Sequence, residues 1–248
     1  MISKAEPGAP GRIVRGRAPR RRHWWRWVLA SAVALVAVSV AAVAFFIKSQ
    51  PVPPPLALPA ARVTAPAGPL GGTWAVGSGS VAGFRVRETA LGFSNDVVGR
   101  THAVAGTIAI SGQRVIRALL RIGLASVTVN GKTPPQFATS LDTRADPVAS
   151  FTLTRPVTLA RGFAFGATVR ITATGQLTMR GNSHPVTITI SCRRDGPELQ
   201  AAGSFPVRFS SWGIKEPGGF GPLGSLAGDG IAEFRLALHR VAHRPAPA

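Results

Sequence analysis

Acidic residues are scarce in this chain. Its 248 residues hold 10 Asp and Glu against 29 Lys and Arg, a formal net charge of +19. That balance suits attraction to anionic lipid or other polyanions. Met1–Arg26 carries eight basic residues and one acid, Glu6, whereas 71–240 carries eighteen basic and nine acidic residues. In the larger part the basic residues are scattered singly. They lack the clustered exposed aromatics of a nucleic-acid reader, so no nucleic-acid partner is expected.

Cysteine is nearly absent. Cys192 is alone, which excludes an intrachain disulfide. No Cys and His group shows zinc-site spacing, so no metal is expected. Catalytic signatures are missing too: there is neither G-x-S-x-G nor H-E-x-x-H. A nucleophile–base arrangement would have to be assembled from His102, His184, Ser94, Asp96 and Asp229. The carboxylates show no paired spacing on a common face. His184 ends the turn-forming cluster "GNSH" and precedes Pro185, which restricts it towards extended geometry. It reads as the corner of a turn. His239 and His243 fall near the C-terminus, in a segment expected to be loose. The chain is therefore not expected to be an enzyme, and no catalytic residue is assigned.

A long charge-free run is present. Trp27–Ile47, "WVLASAVALVAVSVAAVAFFI", holds no charged residue and matches the roughly 20 residues a helix needs to cross a bilayer core. Trp24, Trp25 and Trp27 mark one end, Phe45 and Phe46 the other. Seven arginines precede it, from Arg12 to Arg26, and only Lys48 and Arg62 follow before residue 71. The positive-inside rule keeps the N-terminus in the cytoplasm. The run is too long, and ends too bulkily, for a cleaved signal peptide. The expected order is a basic cytoplasmic tail (1–26), a signal anchor (27–47), a Pro/Ala-rich linker (48–70), a β domain (71–240) and a C-terminal tail (241–248). The linker, with Pro51, Pro53, Pro54, Pro55, Pro59, Pro66 and Pro69, is expected to be an extended, semi-rigid spacer. The expected location is the cytoplasmic membrane, single-pass, with the C-terminal domain outside.

Beyond Thr73 the apolar residues recur with period two. In Val169–Arg180 the odd positions Val169, Ile171, Ala173, Leu177 and Met179 share a dry face; Arg170, Thr172, Thr174, Gln176 and Thr178 share a wet one. Val186, Ile188, Ile190 and Cys192 continue the dry face after "GNSH", Gly181 to His184. The two stretches read as a long β-hairpin. Similar alternation places Phe84 and Val86 together, then Val104, Ile108 and Ile110, then Ile116, Leu120, Ile122 and Leu124. Phe151 joins Leu153, Phe205 joins Val207 and Phe209, and Phe234 joins Leu236 and Leu238. Only Thr133–Thr143 suits a short helical turn. The fold class expected is all-β: a closed antiparallel barrel of about eight strands with a short helical corner, preceded by one transmembrane helix. Closure removes the exposed edges that so long a sheet would otherwise present.

Six segments in order resemble the YceI family of lipocalin-like polyisoprenoid-binding proteins. They are "GTWAVGSGSVAGFRVRE", "GFSNDVVGRTHAVAGTIAI", "LASVTV", "ADPVASFTLTRPVTL", "ATGQLTMRGNSHPVTITI" and "FPVRFSSWGIKEP", spread over 71–238. The resemblance implies an antiparallel barrel around an apolar tunnel, a long isoprenoid-like or other amphipathic lipid as ligand, no other cofactor, and no catalytic residues. Cavity-lining residues are then expected at Phe84, Val86, Leu120, Ile122, Phe151, Leu153, Val169, Ile171, Ile188 and Phe234. Small residues on or beside the dry faces, Gly83, Ala105, Gly106, Ala118, Ala173 and Gly175, are expected to leave space. The glycine-rich 216–230 is expected to flank the tunnel mouth, with Trp212 and Phe220 near it. The competing expectation is a barrel filled by its own side chains, serving as an interaction module on a membrane stalk.

Overall fold

A computed structural model of the chain describes residues 24–49, 52–62, 65–90, 92–215 and 224–242. The chain divides into two compact units, Met1–Ser49 and Gln50–Ala248. In the first, α1 is a 26-residue helix, Trp24–Ser49. Side chains 28–42 and 45 of α1 are described, and all are exposed. Among the described residues no helix is long and apolar enough to cross a membrane.

The second unit is built of strands. In chain order they are β1 (Gly72–Val76), β2 (Val81–Ala90), β3 (Phe93–Thr101), β4 (Val104–Ser111), β5 (Arg114–Gly123), β6 (Thr128–Val129), β7 (Val148–Leu153), β8 (Val157–Thr158), β9 (Val169–Met179), β10 (Asn182–Asp195), β11 (Glu198–Arg208), β12 (Gly224–Leu226) and β13 (Asp229–Arg240). A short helix, α2 (Pro135–Leu141), lies between β6 and β7. Eight strands close a circuit in the order β1-β4-β5-β7-β9-β10-β11-β13, and β13 returns to β1. Every pairing is antiparallel. The half of β13 not paired with β1 carries a flap, β2-β3-β6, with β12 on β2.

The alternating stretches give the long hairpin β9–β10, but its turn is displaced. Arg180 and Gly181, both at positive φ, form the two-residue turn, and Asn182 already pairs with Met179. His184 consequently lies inside β10, opposite Leu177, and not at the corner. A second departure is Ile116. The β4–β5 register slips between Ala109 and Ile110, so Ala109 faces Arg117 while Ile110 faces Val115. Such a bulge leaves one residue unpaired and changes the side it points to. Ile116 is therefore exposed, whereas Val115 turns inward.

The linker does not run free. Arg85 donates to the Pro53 carbonyl at 2.7 Å, Arg100 to Pro54 at 3.1 Å and Arg193 to Pro59 at 2.9 Å. Leu56 N–H donates to Glu233 Oε2 at 2.8 Å, and Arg62 N–H to Asp195 Oδ2 at 3.2 Å. Arg194 donates to the carbonyls of Ala67 and Gly68. Proline lacks an N–H, so an extended proline-rich chain carries carbonyls with no backbone partner of their own. Arginines from β2, β3 and β10 supply the missing donors. The segment is a strap along the outer wall of the barrel, where a freestanding spacer was expected.

Candidate functional site

A cavity of about 250 Å³ lies inside the barrel. This is near the lower end of the ~300–1,000 Å³ usual for small-molecule pockets. Its wall draws on three hydrophobic clusters. One centres on Phe151, Leu177 and Ile188, a second on Trp74, Phe163 and Leu236, and a third on Val86, Val97 and Phe137. Apart from Thr101, Ser140, Cys192, Gln200 and Glu233, every lining residue is apolar or glycine.

Those polar groups are already engaged. Glu233 accepts from Arg100 at 2.6 Å and faces Arg85 at 3.7 Å, beneath the strap. Gln200 Oε1 accepts from Arg193 at 2.9 Å. The Thr101 hydroxyl is 2.7 Å from that of Ser126. Burial pushes the Cys192 thiol from an ordinary 9.0 up to about 12, so it stays protonated and inert. Arg194, outside the cavity, has its pKa lowered by burial first and by the neighbouring Arg240 second. A site of this kind can hold a hydrocarbon and offers little to a polar head.

Three phenylalanines reach into the wall from neighbouring strands, and each covers a glycine. Phe84 lies over Gly99, its cross-strand partner. Phe234 lies over its partner Gly203, and Phe151 lies diagonally over Gly175. A Cβ on Gly99 would meet the Phe84 ring at 2.5 Å; one on Gly203 would meet Phe234 at 2.8 Å. Aromatic cover of a strand glycine restores packing where the side chain is missing. Phe84 also packs on Phe137 of α2, with ring centroids 5.1 Å apart. This anchors the helical corner to the flap.

The YceI-like domain model matches residues 74–233, well over half of the chain. The chain belongs to the YceI-like domain family. One solved structure shares the fold of this YceI-like barrel, and others are similar to it at lower scores. A polyisoprenoid binding domain from Saccharophagus degradans, implicated in plant cell wall breakdown, superposes with a TM-score of 0.53 at 15% identity. The match covers 68% of this chain and 98% of that one. BcnA of Burkholderia cenocepacia gives 0.46 at 17%, covering 62% and 95%. The YCEI protein of Campylobacter jejuni gives 0.39 at 14%, covering 51% and 75%. Comparison with curated protein sequences finds no match.

Within this YceI-like barrel, Phe84, Val86, Leu120, Ile122, Phe151, Leu153, Ile171, Ile188 and Phe234 all line the cavity. Val169 does not; it packs against the cluster around Trp74. Trp212 is buried under the edge of His184, 5.1 Å between ring centroids. It lies outside the cavity lining, and its Nε1 has no partner among the described residues. Phe220 lies outside the described residues, as does most of the 216–230 loop. Of the small residues, Gly83, Ala118 and Ala173 line the cavity, whereas Ala105 is exposed. Gly106 and Gly175 leave no void: the Leu119 carbonyl and the Phe151 ring take the space. The helical turn expected within Thr133–Thr143 is α2, but sequence reasoning missed that its Phe137, Ser140 and Leu141 face the cavity; the one signal was the apolar spacing in "PQFATSL".

The candidate chemistry disperses in the fold. The Ser94 hydroxyl is 3.1 Å from that of Thr89, and Asp96 pairs with Arg85 at 3.3 Å and Arg87 at 3.6 Å. Among the described residues no group of three His, Cys, Asp or Glu converges as a metal site would.

Proposed function

We propose that this protein is a membrane-tethered carrier or sequestering protein that holds an isoprenoid-like or other amphipathic lipid chain in its barrel, outside the cytoplasmic membrane. The observation that carries the reading is the continuous cavity with an almost wholly apolar wall. Apolar atoms filling such a volume are worth up to about 6 kcal/mol at ~24 cal/mol per Å³. A chain contributes about 0.8 kcal/mol per CH₂ it buries. Glu233 and Gln200 are paired with arginines and Thr101 with a hydroxyl, so the lumen offers a polar head little and the head would remain at the opening. Membership of the family, and the polyisoprenoid binding named for the Saccharophagus degradans domain, support a prenyl chain as the ligand. The continuous open space favours a carrier over a filled interaction module.

The tether is supported by the charge-free Trp27–Ile47, the helical course of Trp24–Ser49 and the arginines before it. Both parts are open to test on the full chain purified from its host membrane in mild detergent. Native mass spectrometry is expected to show a bound lipid mass, and a fluorescent prenyl probe is expected to enter after delipidation. Bare polypeptide mass together with no probe uptake overturns the carrier reading. Protease added outside intact spheroplasts is expected to remove the barrel; complete protection would overturn the orientation.

A further inference from the structure

The charges of the barrel wall are segregated. Eight acidic residues fall among the described residues, and none lies on β4, β5, β7, β8 or β9. Six of them, Glu88, Asp96, Asp195, Glu198, Asp229 and Glu233, lie on β2, β3, β10, β11 and β13. There Asp96, Asp195, Glu198 and Glu233 meet arginines, and the strap covers the pairs of Asp195 and Glu233. The opposite half of the wall carries Arg114, Arg117 and Arg121 on β5 and Arg170 on β9. Arg155 precedes β8, and Arg161 begins the single 3₁₀ turn Arg161–Phe165 that follows it. All six are exposed, and among the described residues none has an ion pair.

Register makes this one surface. Arg121 stands between Ala105 of β4 and Ser150 of β7; Arg117 is opposite Ala109; Arg114 is opposite Thr158 of β8. The remaining outward neighbours are threonines, serines, alanines and Gln176, none of which carries a charge to neutralise the guanidinium groups. Large apolar side chains interleave with them. Ile116, thrown outward by the bulge, is 50% exposed and Leu119 44%. Phe165, on the 3₁₀ turn, is 83% exposed, the highest value among the large apolar side chains.

We infer that the outer face of β4-β5-β7-β9, with the 3₁₀ turn at its end, docks on an anionic phospholipid surface. Charge complementarity chooses a polyanion: six exposed arginines that make no ion pair among the described residues, on strands that carry no acid, attract a negatively charged partner. The interleaved Ile116, Leu119 and Phe165 choose a bilayer over a soluble polymer, because an interface accepts apolar side chains between the headgroups. Strand positions rule out the stacking platform a single-stranded nucleic acid would need, since only one aromatic is present. This surface lies outside the cavity and does not depend on what the cavity holds.

The test uses the full chain in nanodiscs of phosphatidylcholine, with or without phosphatidylglycerol. Cys192 is buried, so Phe165→Cys supplies a single reactive thiol for an environment-sensitive fluorophore. Quenching by a doxyl-labelled lipid in the disc is expected to rise with phosphatidylglycerol and fall with added salt. In the R114Q/R117Q/R121Q variant the phosphatidylglycerol-dependent part is expected to drop about tenfold or more. The three positions are exposed, so an unchanged melting temperature shows that the variant folds. Equal quenching in both discs overturns the inference, as does full quenching in the triple variant. Protection of the label from aqueous acrylamide by soluble polyphosphate, with no quenching by the disc, also overturns it. Co-elution with phosphatidylcholine discs reads insertion of α1 separately, and prenyl uptake in the same sample reads loading. A chain that joined only the anionic discs would support the docking face while sinking the tether.

Discussion

Replacing Gly99 by alanine adds one methyl group at a point where the wall has no room. The new Cβ would lie 2.5 and 2.6 Å from two atoms of the Phe84 ring and 2.9 Å from Val127 Cγ1. All three are side-chain atoms, so the backbone can stay in place and the ring must move. Phe84 lines the cavity and packs on Phe137 at a centroid distance of 5.1 Å, so its displacement disturbs both. Overpacking by a methyl costs about 1–3 kcal/mol, and a lost aromatic contact about 0.5–1.5 kcal/mol. The sum centres near ~3 kcal/mol, which for a unit of this size lowers Tm by about 6–12 °C. Thermal unfolding followed by tryptophan fluorescence reads this. Phe84→Leu alone should cost about 1 kcal/mol through lost apolar area. The double variant should resemble F84L alone, because leucine leaves space for the methyl; the coupling then equals the whole G99A penalty, about 3 kcal/mol. The displaced ring also narrows the cavity, so G99A should weaken prenyl uptake. A G99A protein within about 0.5 kcal/mol of the parent refutes the packing argument. So does a penalty that simply adds to that of F84L.

Three further outcomes are expected. Ala118 lines the cavity, so Ala118→Leu should cut prenyl uptake about tenfold while changing stability by less than ~2 kcal/mol, as probe titration and melting would show. Glu233→Ala leaves Arg85 and Arg100 without their shared carboxylate and Leu56 N–H without its acceptor. Breaking such a buried pair costs about 3 kcal/mol, and hydrogen exchange should show the strap around Leu56 opening first. The Cys192 thiol has its pKa raised from 9.0 to about 12 by burial. Below pH 9 both states hold the proton and the full stability is present; between pH 9 and 12 only the folded state does. Stability should therefore fall by about 1.4 kcal/mol per pH unit across that window. Urea titrations against a Cys192→Ala control isolate the slope, and a slope unchanged in the control would contradict the assignment.

Parity carried much of the fold into view at the level of sequence. Ile171, Ile188 and Phe234 alternate with polar residues, and alternation survives any uncertainty about where a strand begins. Features set by cross-strand register were hidden. Nothing in "VIRALLRIGL" reveals that Ala109 and Ile110 straddle a slip, so Ile116 reads as inward until β4 is laid beside β5. The turn of β9–β10 was misplaced because a positive φ falls on Arg180, a residue type with no turn preference. Glycines misled for a similar reason: Gly175 looks like open space until the Phe151 ring, from a distant segment, is found covering it. The strap was the largest omission. Its composition announces an extended chain, but the arginines that hold it stand 32 to 134 residues away.

The rings over Gly99, Gly175 and Gly203 have a consequence for selectivity. A lumen whose unpartnered polar side chains are one serine hydroxyl, Ser140, and one protonated thiol, Cys192, does little to tell one headgroup from another. Discrimination then falls to girth, and the three rings act as fixed calipers along the bore. Each ring rests on a glycine backbone, so it cannot retreat outward to admit a thicker guest. Affinity across a homologous series should rise smoothly with chain length, then break off sharply at a limiting cross-section. Such a protein sorts hydrocarbons by gauge, and its specificity would be retuned by the residue behind each ring as readily as by the ring itself.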